Sequence, residues 1–286
     1  MTKRDHTSSL AARLQSLLFV PGSRPDRFAG ALASGADAVC IDLEDAVPPA
    51  DKDAAREAAM AAIAADESGR LILRCNGIGT IEGIHDLAAI ATASAQSAKL
   101  PPLLLLPKVE SADQLMVLTE LCGDRFGLVP LIESPRGLRA AAAIGGVPSV
   151  AAMMFGGGDL SAELGVVLAW EPLSVARSLF ILACAEAGVP AIDVPWIRLD
   201  DSAGLEDETR KCKALGFAAK AAIHPKQISA IHAVMRSTSE EIEEARAAEN
   251  AFAEAGGAAV RFRGRMLEAP VMRRYRQILE QEQQHA

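Results

Sequence analysis

No apolar run in this 286-residue chain reaches the roughly 18 residues that a membrane-spanning helix needs, so no segment is expected to cross a bilayer. Residues 1–9 are polar and lack the apolar stretch of a secretory signal, which points to a cytoplasmic location. Positive charge is short as well. The 29 Lys and Arg stand against 37 Asp and Glu, a net charge of −8, and this argues against nucleic acid as a main partner. Cysteine is sparse, odd in number and without a C-x-x-C pair: Cys40, Cys75, Cys122, Cys184 and Cys212. Cys40 and Cys75 fall inside apolar runs, so buried free thiols in a reducing compartment are expected rather than a disulfide framework. A glycine-rich phosphate loop is missing too. Pro21-Gly22-Ser23-Arg24, after the first apolar run, is not one, and Gly156-Gly157-Gly158 comes too late and lacks the P-loop lysine.

Half of the residues are hydrophobic, enough for one large core or two small ones. Short apolar runs alternate with helical patterns. Strands are expected at 17–20, 38–41, 71–73, 103–106, 128–132, 150–155, 191–194 and 221–223, with helices at 26–33, 51–65, 85–97, 135–143, 173–187 and 206–215. Roughly eight strand–helix repeats predict a parallel sheet closed into a (β/α)8 TIM barrel over 1–235. An open doubly wound sheet is the alternative. The rhythm then breaks into a C-terminal helical extension, 236–286. A helix at 239–255 carries Ile242, Ala245, Glu249 and Phe252 along one side. Val260, Phe262 and Met266 flank Gly264 in a hairpin-like piece, and Pro270 opens a last helix with Val271, Tyr275, Ile278 and Leu279 as its stripe. Such a tail is expected to dock on a barrel, its own or a neighbouring subunit's, so a homo-oligomer, trimer or hexamer, is expected.

The charges gather where the strands end. The runs 128–132 and 153–155 lead into Glu133 and Asp159, which a barrel would place on neighbouring strand ends. Two hard oxygen ligands suit Mg²⁺. The competing reading makes each a cap for the helix that follows. Glu44, Asp45, Arg74, Lys108, Asp193 and His224 complete the rim. So many charges are costly to bury unless they pair or bind something ionic, and acids beside a cation suggest a metal and a carboxylated substrate. Arg74 is the best carboxylate clamp because guanidinium binds carboxylate with two prongs. A salt bridge to Glu44 or Asp45 is its structural alternative. Asp193 reads as structural, and His224, before Pro225, reads equally as a backbone hydrogen-bonding residue.

The motifs that carry a family likeness run in order from about residue 15 to 275. They are Ser16-Leu17-Leu18-Phe19-Val20-Pro21-Gly22, Asp42-Leu43-Glu44-Asp45-Ala46-Val47, Arg74-x-Asn76, Leu106-Pro107-Lys108-x-Glu110-Ser111, Leu131-Ile132-Glu133-Ser134, Phe155-Gly156-x-x-Asp159-Leu160 and Ile223-His224-Pro225-Lys226-Gln227. Together they resemble the citrate lyase β-subunit family, the CitE-like branch of the HpcH/HpaI aldolase superfamily. The resemblance implies a TIM barrel, Mg²⁺ on Glu133 and Asp159, and Arg74 at the substrate carboxylate. It implies cleavage or formation of the C–C bond of a β-hydroxyacyl-CoA thioester such as citryl-, malyl- or citramalyl-CoA, or an acyl-carrier thioester, with an acyl-CoA and a 2-keto acid as partners. Glu44 and Asp45 join Arg74 as catalytic candidates, and Arg24 and Arg27 are candidates for the CoA phosphates.

Three departures from the family pattern stand out. Gln15 replaces a common Arg before the first motif, and Gly158 replaces a frequent Glu before the metal Asp. In the tail, Gly264-Arg265-Met266-Leu267-Glu268-Ala269-Pro270 puts Glu268 where related lyases have a catalytic Asp, one methylene longer in reach. Glu268, delivered from the tail to a neighbour's site, is the expected proton donor to the thioester enolate. A pyruvate-dependent class II aldolase, a CoA-ester thioesterase and a non-catalytic CoA-ester binding protein are the alternatives.

Overall fold

The apolar runs become eight parallel strands: β1 (Ser16–Pro21), β2 (Ala38–Asp42), β3 (Leu71–Arg74), β4 (Leu103–Leu106), β5 (Gly127–Ile132), β6 (Met153–Phe155), β7 (Ala191–Asp193) and β8 (Ala219–Ala222). This is seen in a computed structural model that describes residues 10–96, 98–122 and 125–285. The strands pair in chain order and β8 returns to β1, closing the barrel. Both faces of each strand are covered, which is why the runs are nearly continuous apolar stretches. Inward, Leu17, Cys40, Ile72, Leu105, Leu131 and Met154 fill the barrel. Outward, Leu18, Ile41, Leu73, Leu104, Phe155 and Ala222 meet the helices.

The surrounding helices are α1 (Phe28–Ala33), α2 (Lys52–Ala65), α3 (Ile81–Ala95), α4 (Ala112–Cys122), α5 (Pro135–Gly145), α6 (Gly157–Leu164), α7 (Trp170–Ala187), α8 (Ser202–Leu215) and α9 (Gln227–Met235). Their starts carry the expected chemistry. Thr80, Ser134 and Asp201 accept from the backbone N–H groups of Gly83, Gly137 and Gly204. Helices α4 and α9 are not among the expected elements, and α6 entered only through the competing reading of Asp159 as a cap. Helix α3 starts earlier than expected because Thr80 caps it; its expected end at Ser97 lies outside the described residues, as do residues 1–9. Residues 150–152 do not extend β6, and Val150 makes only an isolated bridge to Leu128. Cys40, Cys75, Cys184 and Cys212 are free and buried; the Cys122 side chain is outside the described set.

Strand β8 sits two residues earlier than expected at its start, because a lysine hides inside it. Lys220 is fully buried between sheet and helices, and its ammonium donates to Asp193 Oδ2 (2.8 Å), Glu208 Oε1 (2.9 Å) and the Val194 carbonyl (2.9 Å). Arg177 Nε donates to Asp193 Oδ1 at 2.9 Å, and the Cys212 thiol donates to Asp193 Oδ2. Ile192 faces into the barrel and Asp193 therefore faces out. Asp193 is structural, as its reading allowed. Burial pushes its carboxyl up, but Lys220 and Arg177 outweigh that and hold it down at about 2. Removing one member of a buried ion network strands the others, so Asp193→Ala is expected to lower unfolding free energy by about 3–5 kcal/mol, read by urea denaturation. A loss below about 1 kcal/mol would show that the network contributes little.

The chain divides into two compact units, Met1–Met235 and Arg236–Ala286. The second contains α10 (Ser239–Glu254), β9 (Val260–Phe262), β10 (Arg265–Leu267) and α11 (Ala269–His285). Thr238 and Glu241 form a reciprocal capping box at the start of α10. The hairpin turns through Arg263 (φ 44°) and Gly264 (φ 79°), both left-handed, as a tight two-residue turn requires. This unit has its own apolar cluster of Ala245, Ala248, Phe252, Leu267, Met272 and Tyr275. Two expected stripe positions differ. Val271 is 43 % exposed while Met272 is buried, and Glu249 pairs with Arg276 at 3.0 Å beside the cluster. Among the described residues, no helix is long and apolar enough to cross a membrane.

Candidate active site at the barrel rim

The site begins with strand parity. Ile41 and Leu73 face outward, so Asp42 and Arg74 at the next positions face inward, and the two are direct partners in the β2–β3 register. Arg74 Nε and Nη2 donate to Asp42 Oδ1 and Oδ2, both at 2.6 Å. Asp42 also accepts from the N–H groups of Glu44 (2.8 Å) and Ala46 (3.3 Å), which uses all the acceptor sites a carboxylate offers. Asp42, absent from the expected set, thus pins both Arg74 and the loop that carries Glu44 and Asp45. Arg74 Nη1 lies 2.9 Å from Glu44 Oε2 and 3.9 Å from Asp45 Oδ2, and its guanidinium lies over the Phe19 ring at 5.2 Å.

A second residue that sequence reasoning missed is Lys52, at the start of α2. Its ammonium donates to the Leu43 carbonyl (2.6 Å), the Glu44 carbonyl (2.7 Å) and Asn76 Oδ1 (2.6 Å). All three of its donors are used, and it ties the loop after β2 to the loop after β3. Asn76 N and Nδ2 in turn donate to Asp86 Oδ2. A cation at a helix N-terminus opposes the helix dipole, so these bonds must offset that placement.

Glu133 follows β5, next to β6 in the barrel. It does not cap α5, because Ser134 does. Instead its Oε2 accepts the Lys108 backbone N–H at 2.8 Å. A Cβ on Gly156 would lie 2.1 Å from Glu133 Cγ, so only glycine lets the end of β6 pass this close. Asp159 stands in the first turn of α6 and makes no cap bond; its side chain is half-exposed. Lys108 Nζ lies 3.3 Å from Glu44 Oε1 and 3.5 Å from Asp159 Oδ2. A Cβ on Gly158 would meet open space, so the glycine at that departure answers no packing need. Gln15 lies at the opposite, N-terminal end of β1, away from the rim.

The electrostatics show an excess of acid. Burial pushes the Glu133 carboxyl up to about 8, with Glu44 and then Asp159 adding to the rise against the Lys108 N–H. Burial also raises Glu44, and Asp45 adds to it, against the pull of Arg74 and Lys108. Glu44 Oε2 is buried and, despite the nearby Arg74 Nη1, has no donor in hydrogen-bond geometry. Buried carboxylates held this unfavourably are a donor set that a hard divalent cation would satisfy.

Other expected residues lie elsewhere. His224 Nδ1 accepts the Lys226 N–H, a turn within the chain. Arg24 is held with two prongs by Asp26, at 2.9 and 2.7 Å. Glu268 belongs to the second unit, where it is exposed and its carbonyl accepts the Met272 N–H. Among the described residues, the one trio of ligand atoms converging within 4.8 Å is Asp53, Glu82 and His85, and Arg56 already pairs with Asp53 and Glu82.

Residues 15–225 match the HpcH/HpaI aldolase/citrate lyase family, and residues 170–285 match the family of C–C bond lyases of the TIM-barrel fold. A citrate lyase subunit beta-like protein of Mycobacterium tuberculosis is 34 % identical, over 89 % of this chain and 90 % of its own. A (3S)-malyl-CoA thioesterase of Cereibacter sphaeroides is 33 % identical, over 84 % of each chain. The crystal structure of CitE from M. tuberculosis in complex with magnesium, acetoacetate and coenzyme A superposes with a TM-score of 0.80 at 32 % identity, covering 95 % of this chain and 98 % of that one. By sequence and by barrel, the chain belongs to the HpcH/HpaI aldolase/citrate lyase family and is a lyase.

Proposed function

We propose that the protein cleaves, or in reverse forms, the C–C bond of a β-hydroxyacyl-CoA thioester such as citryl-, malyl- or citramalyl-CoA, giving an acyl-CoA and a 2-keto acid. Magnesium is the cofactor, and Glu133 and Asp159 are the residues that hold it. The observation that carries this reading is the rim itself, where buried Glu133 and Glu44 meet Asp159 and the Arg74 guanidinium. The CitE relative bound to magnesium, acetoacetate and coenzyme A supports it. An acyl-carrier thioester offers the same reacting atoms.

Retro-Claisen cleavage needs a base for the hydroxyl proton, a cation at the carbonyl that forms and a stabilised thioester enolate. The bound metal supplies Lewis acidity at the hydroxy-acid end of the substrate. Arg74 grips the substrate carboxylate with the N–H groups that Asp42 leaves unused. Glu44, with Asp45 beside it, takes the hydroxyl proton; the C–C bond breaks and its electron pair becomes the enolate. Glu268, from the tail of a neighbouring copy in a homo-oligomer, returns a proton to that carbon. Arg24 exchanges Asp26 for a CoA phosphate. The free buried thiols suit a reducing cytoplasm.

The malyl-CoA thioesterase relative favours a second reading, in which water attacks the same bound acyl group and releases free CoA. One assay separates the two. A panel of hydroxyacyl-CoA thioesters with Mg²⁺, read for keto acid and for free CoA thiol, is expected to release keto acid with acyl-CoA and no free thiol. Free thiol without keto acid would favour hydrolysis. In the same assay Glu268→Gln is expected to lower turnover by about 100-fold, the usual range for a general acid. Full activity would remove the tail carboxylate from the reaction.

A further inference from the structure

One residue reaches three of the rim carboxylates at once. The Lys108 backbone N–H donates to Glu133 Oε2, and its ammonium lies within 3.5 Å of both Glu44 and Asp159. It does so from a left-handed backbone, φ 56°, a conformation that a long side chain rarely takes and that surrounding structure must hold in place. That conformation lets the N–H point at Glu133 while the side chain comes back over the same site. Its Nζ therefore lies against acid oxygens that a divalent cation would also need. Two cations cannot share these oxygens at such distances without strong repulsion. The side chain is 55 % exposed, so the ammonium has a path to water while the backbone bond to Glu133 stays in place.

We propose that Lys108 is a tethered counter-ion: its ammonium neutralises Glu44 and Asp159 in the metal-free protein and is displaced by the divalent cation, so that it sets metal affinity by competition. This rests on the reading that Glu133 and Asp159 hold magnesium. It gives Lys108 a role apart from the chemistry of the substrate.

The test is calorimetric titration of Mg²⁺ into the metal-free, full-length protein and its variants. Lys108→Met is expected to bind Mg²⁺ about tenfold more tightly, the scale of an ordinary coupling between two sites. Lys108→Arg, which keeps the charge, should stay within about threefold of the parent. Unchanged or weaker binding by Lys108→Met, with an unchanged melting temperature, overturns the proposal. A measurement without substitution stands beside it. Acylation of Lys108 by an amine-reactive ester, read by peptide mass spectrometry, should rise severalfold when Mg²⁺ saturates the protein. No change in labelling overturns the proposal even if Lys108→Met does not fold. If the parent shows no saturable Mg²⁺ binding and Glu133→Gln behaves identically, it is the metal reading that fails.

Discussion

Glu133→Gln and Asp159→Asn are each expected to cut magnesium-dependent turnover by about 1,000-fold or more, while the protein stays folded. The reason lies in what each change keeps. The amide of Glu133→Gln would still offer an oxygen to the Lys108 N–H, which now bonds Glu133 at 2.8 Å, and it has the same shape against Gly156, where there is no room to spare. What it loses is the charge that a hard dication needs. The metal-free variant should melt no lower than the parent, because burial and the neighbouring acids make the Glu133 charge unfavourable in the first place. Asp159 is half-exposed and makes no cap bond in α6, so Asp159→Asn is also expected to leave the fold intact. A chelator in excess should bring the parent protein down to the level of the variants. Full activity of either variant in excess chelator would rule out the metal role.

The barrel was legible because its signal is repeated. Eight apolar runs, each buried on both faces, can be read without knowing what covers them. Helix α4 was missed although its start carries a signal: Ser111 and Gln114 are spaced as a capping pair, and Gln114 Oε1 accepts the Ser111 N–H at 3.1 Å. The rim was legible in part. Glu44, Arg74, Glu133 and Asp159 stand at strand ends, and chain order alone puts those ends side by side. Asp42 and Asp193 also close strands, yet they face opposite layers. Deciding between them needs the inward or outward phase of each strand, and the flanking Ile41 and Ile192 look alike in sequence. Lys52 left no signal at all, because two of its three acceptors are backbone carbonyls, which carry no residue identity. Gly156 looked like part of a glycine run, and its necessity belongs to Glu133, more than twenty positions away. In the tail, Val271 and Met272 both fall on a helical period with Tyr275, and only packing beside Leu267 chooses Met272.

Arg74→Lys is expected to lower kcat/KM by about 100-fold or more, well beyond what an unchanged charge would suggest. Arg74 spends one edge of its planar fork on Asp42, with two bonds of 2.6 Å, and lies over Phe19. That leaves the outer N–H of Nη2, and Nη1, which lies 2.9 Å from Glu44 Oε2 without hydrogen-bond geometry, for a substrate carboxylate. A lysine ammonium presents its donors from a single point and cannot serve Asp42 and a substrate carboxylate as two parallel pairs. Because Arg74 also steadies the loop through Asp42, the variant needs a companion. Asp42→Asn disturbs the same loop but leaves the guanidinium. If Arg74 grips substrate, Arg74→Lys loses far more than Asp42→Asn, and it alone loses inhibition by a free 2-keto acid. If both variants fall equally and keep that inhibition, Arg74 is a scaffold for the loop. A change below threefold in Arg74→Lys would take it out of the reaction altogether.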